Sequence, residues 1–198
     1  MNLKPVGHQA VLLELDSNAE ALAVAAALRS RLGDVLTDIV PGHQTVLAVM
    51  RRPLAHSVWS VAETATATAA PSPGDVEIEV VYDGPDLPGV AAATGLSEEE
   101  VVRRHLAADY TAAFLGFAPG FAYLTGLDET LAVPRRDTPR TSVPAGSVSI
   151  AGPYSGVYPR ESPGGWHLIG RTASVLFDPQ RDPPALIEAG TKVRFTTR

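Results

Sequence analysis

Between Gly116 and Gly170 the chain carries nine of its 17 glycines and seven of its 17 prolines. Proline lacks the amide that a helix interior needs, and glycine loses the most backbone entropy on ordering, so this stretch disfavours helix. Short strands joined by tight turns and long loops are expected there, the texture of a β-barrel. The 198 residues leave room for one large domain or two small ones, and a 45% hydrophobic content is enough to fill a core. Charged residues are 19%, low for a disordered chain.

The stretch before residue 65 reads differently. Ala10–Leu15 is an apolar run with the length of a buried strand. Ser17-Asn-Ala-Glu20 is a capping box opening a helix over Ala21–Leu32, with Gly33 placed to end it in the left-handed conformation. Val35–Val40 and Thr45–Met50 form a hairpin across Pro41-Gly-His-Gln44, and a second helix follows from Pro53 to about Glu63. This βαββα order predicts a small α/β domain over residues 1–70. Ala65–Gly74, small residues and two prolines, reads as the linker. A second domain over 75–198 begins with a strand at Val76–Tyr82. A short helix at Leu87–Ala93 closed by Gly95, a Ser97-capped helix to about Ala107 and a strand at Tyr110–Phe117 follow. No internal repeat is present.

Several function classes fall away on composition. There is no cysteine, so disulfides, thiolate nucleophiles and zinc–cysteine sites are excluded. No H-x-H or H-E-x-x-H spacing occurs, and no metal site is expected. The net charge is −6 and no long basic run exists, which argues against nucleic-acid binding. No apolar run approaches the length that spans a bilayer, and the start lacks signal-peptide features, so a cytoplasmic location is expected. Only Lys4 and Lys192 are lysines, and neither follows a glycine-rich loop, so there is no P-loop.

Four segments carry the strongest signal. They are Gly116-Phe-Ala-Pro-Gly-Phe-Ala-Tyr-Leu124, Pro134-Arg-Arg-Asp-Thr-Pro-Arg140 and Val143-Pro-Ala-Gly-Ser-Val-Ser-Ile-Ala-Gly152, then Gly156-Val-Tyr-Pro159 running on to Ser162-Pro-Gly-Gly-Trp-His-Leu-Ile-Gly-Arg-Thr172. In this order and spacing they resemble the family of Kip inhibitors, allophanate hydrolase subunit 1 and the B-type subunits of 5-oxoprolinase. The resemblance covers roughly residues 75–197, and more weakly the N-terminal part through Ile39-Val-Pro-Gly-His43. Val81-Tyr-Asp-Gly-Pro-Asp-Leu87 is shorter than the corresponding loop of the family. The resemblance implies an α+β chain: a small α/β domain followed by a cyclophilin-like β-barrel. It also implies a cytoplasmic, heteromeric hydrolase acting on amides or lactams. The partner would be a larger second subunit, of the allophanate hydrolase subunit 2 type or the 5-oxoprolinase C-type, with a third subunit in 5-oxoprolinase. The reaction expected first is ATP-dependent opening of 5-oxoproline to glutamate, with ATP used by the complex. The alternatives are the carboxyltransferase component of a urea-carboxylase-like enzyme and a Kip-type inhibitor of a histidine kinase. Peptidyl-prolyl isomerase activity does not follow from a cyclophilin-like fold alone.

Within these motifs, Arg135, Arg136, Arg140 and Arg171 lie in a stretch with five arginines against two acids, Asp137 and Glu161. A planar guanidinium suits a carboxylate or phosphate. The same residues also suit a solvated loop or salt bridges to the partner subunit. Ser147, Gly164 and Gly165 join them as candidate anion-binding positions, through a hydroxyl or backbone amides. Gly146-Ser147 does not make the G-x-S-x-G elbow, so a serine nucleophile is unsupported. His167, Arg140 and Arg171 are the catalytic candidates. Histidine titrates near neutrality, and strand alternation places His167 opposite to Trp166. Phe117, Phe121, Tyr123, Tyr158 and Trp166 serve either as barrel core or as a groove for the partner subunit. Pro119-Gly120 reads as a cis bond or a tight turn, and His105 as structural.

Overall fold

A computed structural model describes residues 1–53, 55–65 and 73–197. Residues 66–72 of the expected linker lie outside the described residues. Contacts divide the chain into two compact units, Met1–Ser72 and Pro73–Arg198.

The first unit is a four-stranded antiparallel sheet with two helices. Its strands are β1 (Asn2–Val6), β2 (Ala10–Glu14), β3 (Leu36–Pro41) and β4 (Thr45–Met50), in the spatial order β1-β2-β4-β3. Helices α1 (Asn18–Leu32) and α2 (Ala55–Thr64) complete it. Val11, Leu13, Leu28, Val46, Ala48 and Val58 form the centre of its core. The order is ββαββα, one strand more than the sequence suggests. β1 escapes the pattern because it is largely exposed and holds Pro5, which only an edge strand tolerates. The Ser17 hydroxyl caps α1, accepting from the Glu20 amide at 3.2 Å. Gly33 departs from expectation: it is right-handed (φ −51°), not left-handed. Its glycine requirement is steric, since a Cβ would stand 2.6 Å from the Arg29 carbonyl oxygen.

The second unit is a curled sheet. β5 (Asp75–Glu79), β6 (Tyr110–Leu115), β7 (Ala122–Thr125), β9 (Ser147–Ala151), β10 (Tyr154–Val157), β12 (His167–Arg171) and β13 (Lys192–Thr196) run in the order β12-β9-β10-β7-β6-β13-β5. Only β13 and β5 pair in parallel. The sheet closes on itself just past β5, where Val81 and Arg171 exchange two backbone hydrogen bonds of 2.9 Å. With the Gly84 and Asp86 amides, this bridge covers the outer edge of β12, which an open sheet would leave exposed. The chain is thus α+β, a small α/β unit followed by a cyclophilin-like barrel. Ile78, Leu124, Ile150, Ile169 and Phe195 are buried in the barrel core. A separate ribbon pairs β8 (Arg140–Val143) with β11 (Ser162–Gly164).

Two helices, α3 (Leu87–Thr94) and α4 (Glu98–Ala107), precede the barrel's second strand. Gly95 ends α3 left-handed at φ 70° as expected. The Ser97 hydroxyl accepts from the Glu100 amide, but the Glu100 carboxylate turns away to Arg103 and Arg104 at 2.6 and 2.8 Å, leaving half a capping box. β6 stops at Leu115, short of the expected Phe117, because Phe117 takes a left-handed φ of 64° that no strand continues through.

Candidate functional site

Asp86 is the hub of a buried ion-pair cluster in the barrel unit. It lies in Gly84-Pro-Asp-Leu87, which runs beside β12: the Gly84 amide donates to the Ile169 carbonyl and the Asp86 amide to the Leu168 carbonyl. A side chain at Gly84 would overlap the β12 backbone, so only glycine allows this approach. The Asp86 side chain is 7% exposed. Its Oδ1 accepts from Arg136 Nη1 at 2.7 Å and Arg140 Nη2 at 2.8 Å. Its Oδ2 accepts from Arg140 Nη1 at 2.8 Å and the Leu168 amide at 2.7 Å. Burial pushes its carboxyl up, but Arg140, the Leu168 amide and Arg136 outweigh it and hold the group below the usual carboxylate range. Although Asp86 stands at the N-cap of α3, its side chain makes no cap, because both oxygens are committed to the arginines. The anion that Arg136 and Arg140 hold here is therefore the chain's own.

Beside this cluster lies a recess of about 100 Å³. Phe121 forms its centre, with edge-on contacts to Phe117, Tyr123, Tyr158 and Trp166 at centroid distances of 5.1 to 5.4 Å. Phe121, Tyr158 and Trp166 are buried, while Phe117 is 56% exposed. Gly116–Gly120 is a tight turn in which Phe121 N–H donates to the Ala118 carbonyl and Gly120 takes φ 82°. Gly164 and Gly165 form another wall, and a Cβ on Gly164 would collide with the Tyr158 hydroxyl. Burial raises the Tyr158 phenol's pKa, opposed by a hydrogen bond from the Trp166 backbone and the charges of Arg135 and Arg140.

Arg135 lines the same recess, with an exposed side chain that has no hydrogen-bond or ion-pair partner among the described residues. Its backbone is pinned on both sides. The Arg136 amide donates to the Gly165 carbonyl at 2.8 Å, and His167 Nε2 lies 2.9 Å from the Pro134 carbonyl. Trp166 points into the aromatic cluster and His167 away from it, the alternation expected of neighbours in an extended run.

The structure thus brings Arg135, Gly164, Gly165 and all five aromatic candidates together, and places the others apart. Arg171 pairs with exposed Asp83 at 2.8 Å. Ser147 is buried and donates to the Pro144 carbonyl, and the Gly146 amide donates to the Tyr158 carbonyl, so neither is directed at an open anion site. His105 is inside the barrel unit, with Nδ1 2.6 Å from the Tyr82 hydroxyl and Nε2 2.8 Å from Ser155 Oγ. Burial lowers its pKa to about 3, so it stays neutral as a structural linker. Among the described residues no cluster of histidines and acids has the make-up of a metal site, and no helix is long and apolar enough to cross a membrane.

Sequence reasoning missed Asp86. Its signal was present in Gly84-Pro-Asp-Leu87, within the segment singled out only for being short.

The chain belongs to the family described as carboxyltransferase domain, subdomain C and D, whose sequence model matches residues 1–187. It is 42% identical over 206 aligned positions to the 5-oxoprolinase B-subunit of Escherichia coli O157:H7, covering 96% of this chain and 93% of that protein. With the 5-oxoprolinase B-subunit of Bacillus subtilis (strain 168) it shares 52% identity over 123 positions, 61% of this chain and 51% of the relative. The crystal structure of TTHA0988 in space group P6522 superposes with a TM-score of 0.85 at 35% identity. That match covers 96% of this chain but 40% of the TTHA0988 chain.

Proposed function

We propose that this chain is the B-type subunit of a 5-oxoprolinase, active only in complex with a larger C-type subunit and a third subunit. The complex couples ATP hydrolysis to opening of the 5-oxoproline lactam, giving glutamate. The observation that carries this reading is an identity of 42% sustained over 96% of this chain and 93% of a 5-oxoprolinase B-subunit. ATP is handled by another subunit, in keeping with the absence of a P-loop here. No nucleophile–base pair stands out at the recess, which fits a subunit that binds and orients substrate while its partner supplies the proton-transfer groups.

A second reading, the carboxyltransferase component of a urea-carboxylase-like enzyme, is favoured by the family's description. Co-expression of this chain with the products of its neighbouring genes separates the two. ATP- and 5-oxoproline-dependent glutamate release that disappears when this chain is omitted supports the first. A stable complex that is inert toward 5-oxoproline but accepts carboxyl groups from a biotin carrier supports the second.

A further inference from the structure

The geometry points to the recess between the Phe117 turn and the Gly164–Gly165 strand as a binding site for a small flat carboxylate, with Arg135 as the residue that takes the carboxylate. This deepens the 5-oxoprolinase reading and rests on it for the identity of the ligand, a lactam ring bearing one carboxylate. Three independent features converge there. The first is charge. Of the three arginines in Pro134–Arg140, Arg136 and Arg140 are committed to Asp86, and Arg135 alone is left with an unengaged guanidinium at the recess. A guanidinium offers parallel N–H donors that match both oxygens of a carboxylate.

The second is shape. The walls are aromatic faces and edges, and Gly164 brings the backbone against Tyr158 where no side chain fits. Such a slot suits a flat ring better than a branched chain. The third is strain. Phe117 is the only non-glycine residue with positive φ among the described residues, and it holds a largely exposed ring beside the recess. A bulky residue in that conformation is costly, and such strain gathers at ligand sites.

Two residues hold Arg135 in place without touching the recess. Asp86 holds the Arg136 side chain and His167 hydrogen-bonds the Pro134 carbonyl, so both neighbours of Arg135 are anchored. His167 is on this account a positioning residue and not a base.

The test is steady-state kinetics and equilibrium dialysis on the assembled complex. Arg135→Ala raises KM for 5-oxoproline by about tenfold or more with kcat largely kept, Arg135→Lys recovers part of the loss, and Arg103→Ala, on the exposed side of α4, changes neither. Binding of 2-pyrrolidinone, the ring without the carboxylate, is weak and indifferent to Arg135. An unchanged KM in Arg135→Ala overturns the assignment. His167→Phe raises KM and His167→Gln, which can still donate to the Pro134 carbonyl, restores it; a loss of kcat in His167→Gln overturns the positioning role. If the wild-type complex does not turn over 5-oxoproline at all, the parent reading fails, and benzoate serves as the flat-carboxylate probe instead. Benzoate retained by wild type and lost in Arg135→Ala upholds the site. Absent or Arg135-independent retention overturns it.

Discussion

Asp86 and Arg140 meet in a two-point ion pair, each terminal guanidinium nitrogen 2.8 Å from one carboxylate oxygen. That pair ties the segment after β5 to the arginine-bearing loop and, through the Leu168 amide, to β12. Asp86→Ala leaves two arginines without their anion and an amide without its acceptor. Breaking a buried pair typically costs about 3–5 kcal/mol, but Arg136 and Arg140 keep a quarter to a third of their side chains in water. The expected loss is therefore about 2–3 kcal/mol, read from urea unfolding. Arg136→Ala costs less, about 1 kcal/mol, because Arg140 still grips both oxygens.

His105 makes the barrel unit sensitive to mild acid. Its pKa is about 3 when folded against 6.5 in the unfolded chain, so between these values the unfolded state binds a proton that the native state does not. Stability then rises with pH through this window by about 1.4 kcal/mol per unit and levels off above about 6.5. Asp86, whose folded pKa is lowered, adds a further loss only below about pH 4. Chemical unfolding of the wild type at pH 5 and pH 7 gives the slope, and His105→Gln flattens it.

Gly84→Ala places a methyl group into the backbone of β12 at Leu168 and Ile169. A stability loss of about 1–3 kcal/mol is expected from forced separation of the two segments, measured by thermal unfolding.

Trp166→Ala empties a site that is 5% exposed and packed against Phe121 and Tyr123. The expected loss is about 3–5 kcal/mol in denaturant unfolding. Phe117→Gly contrasts with it. The ring is half in solvent and its backbone is strained, so stability stays within about 1 kcal/mol of wild type while ligand affinity falls.

Capping, apolar runs and turn residues made most of the first unit legible, since Ser17-Asn-Ala-Glu20 and Pro41-Gly-His-Gln44 act within a few residues of the elements they bound. β1 was not, because an exposed edge strand with Lys4 and Pro5 carries no burial pattern. In the barrel unit the glycine–proline texture announced strands and turns, and the four motifs marked the residues that line the recess. Which arginine is unengaged was not legible. That depends on Asp86, which lies 50 residues from Arg136 and 54 from Arg140 along the chain. The same separation hid the role of His167, whose partner is a backbone carbonyl 33 residues away.

The most direct test of the central claim is an add-back titration. Partner subunits prepared without this chain are mixed with increasing amounts of it, and ATP-dependent release of glutamate from 5-oxoproline is followed. The expected result is no turnover at the start and a rise to a plateau as the chain is added. Full turnover without the chain, or none at any amount of it in a complex that forms, contradicts its role as a required part of a 5-oxoprolinase.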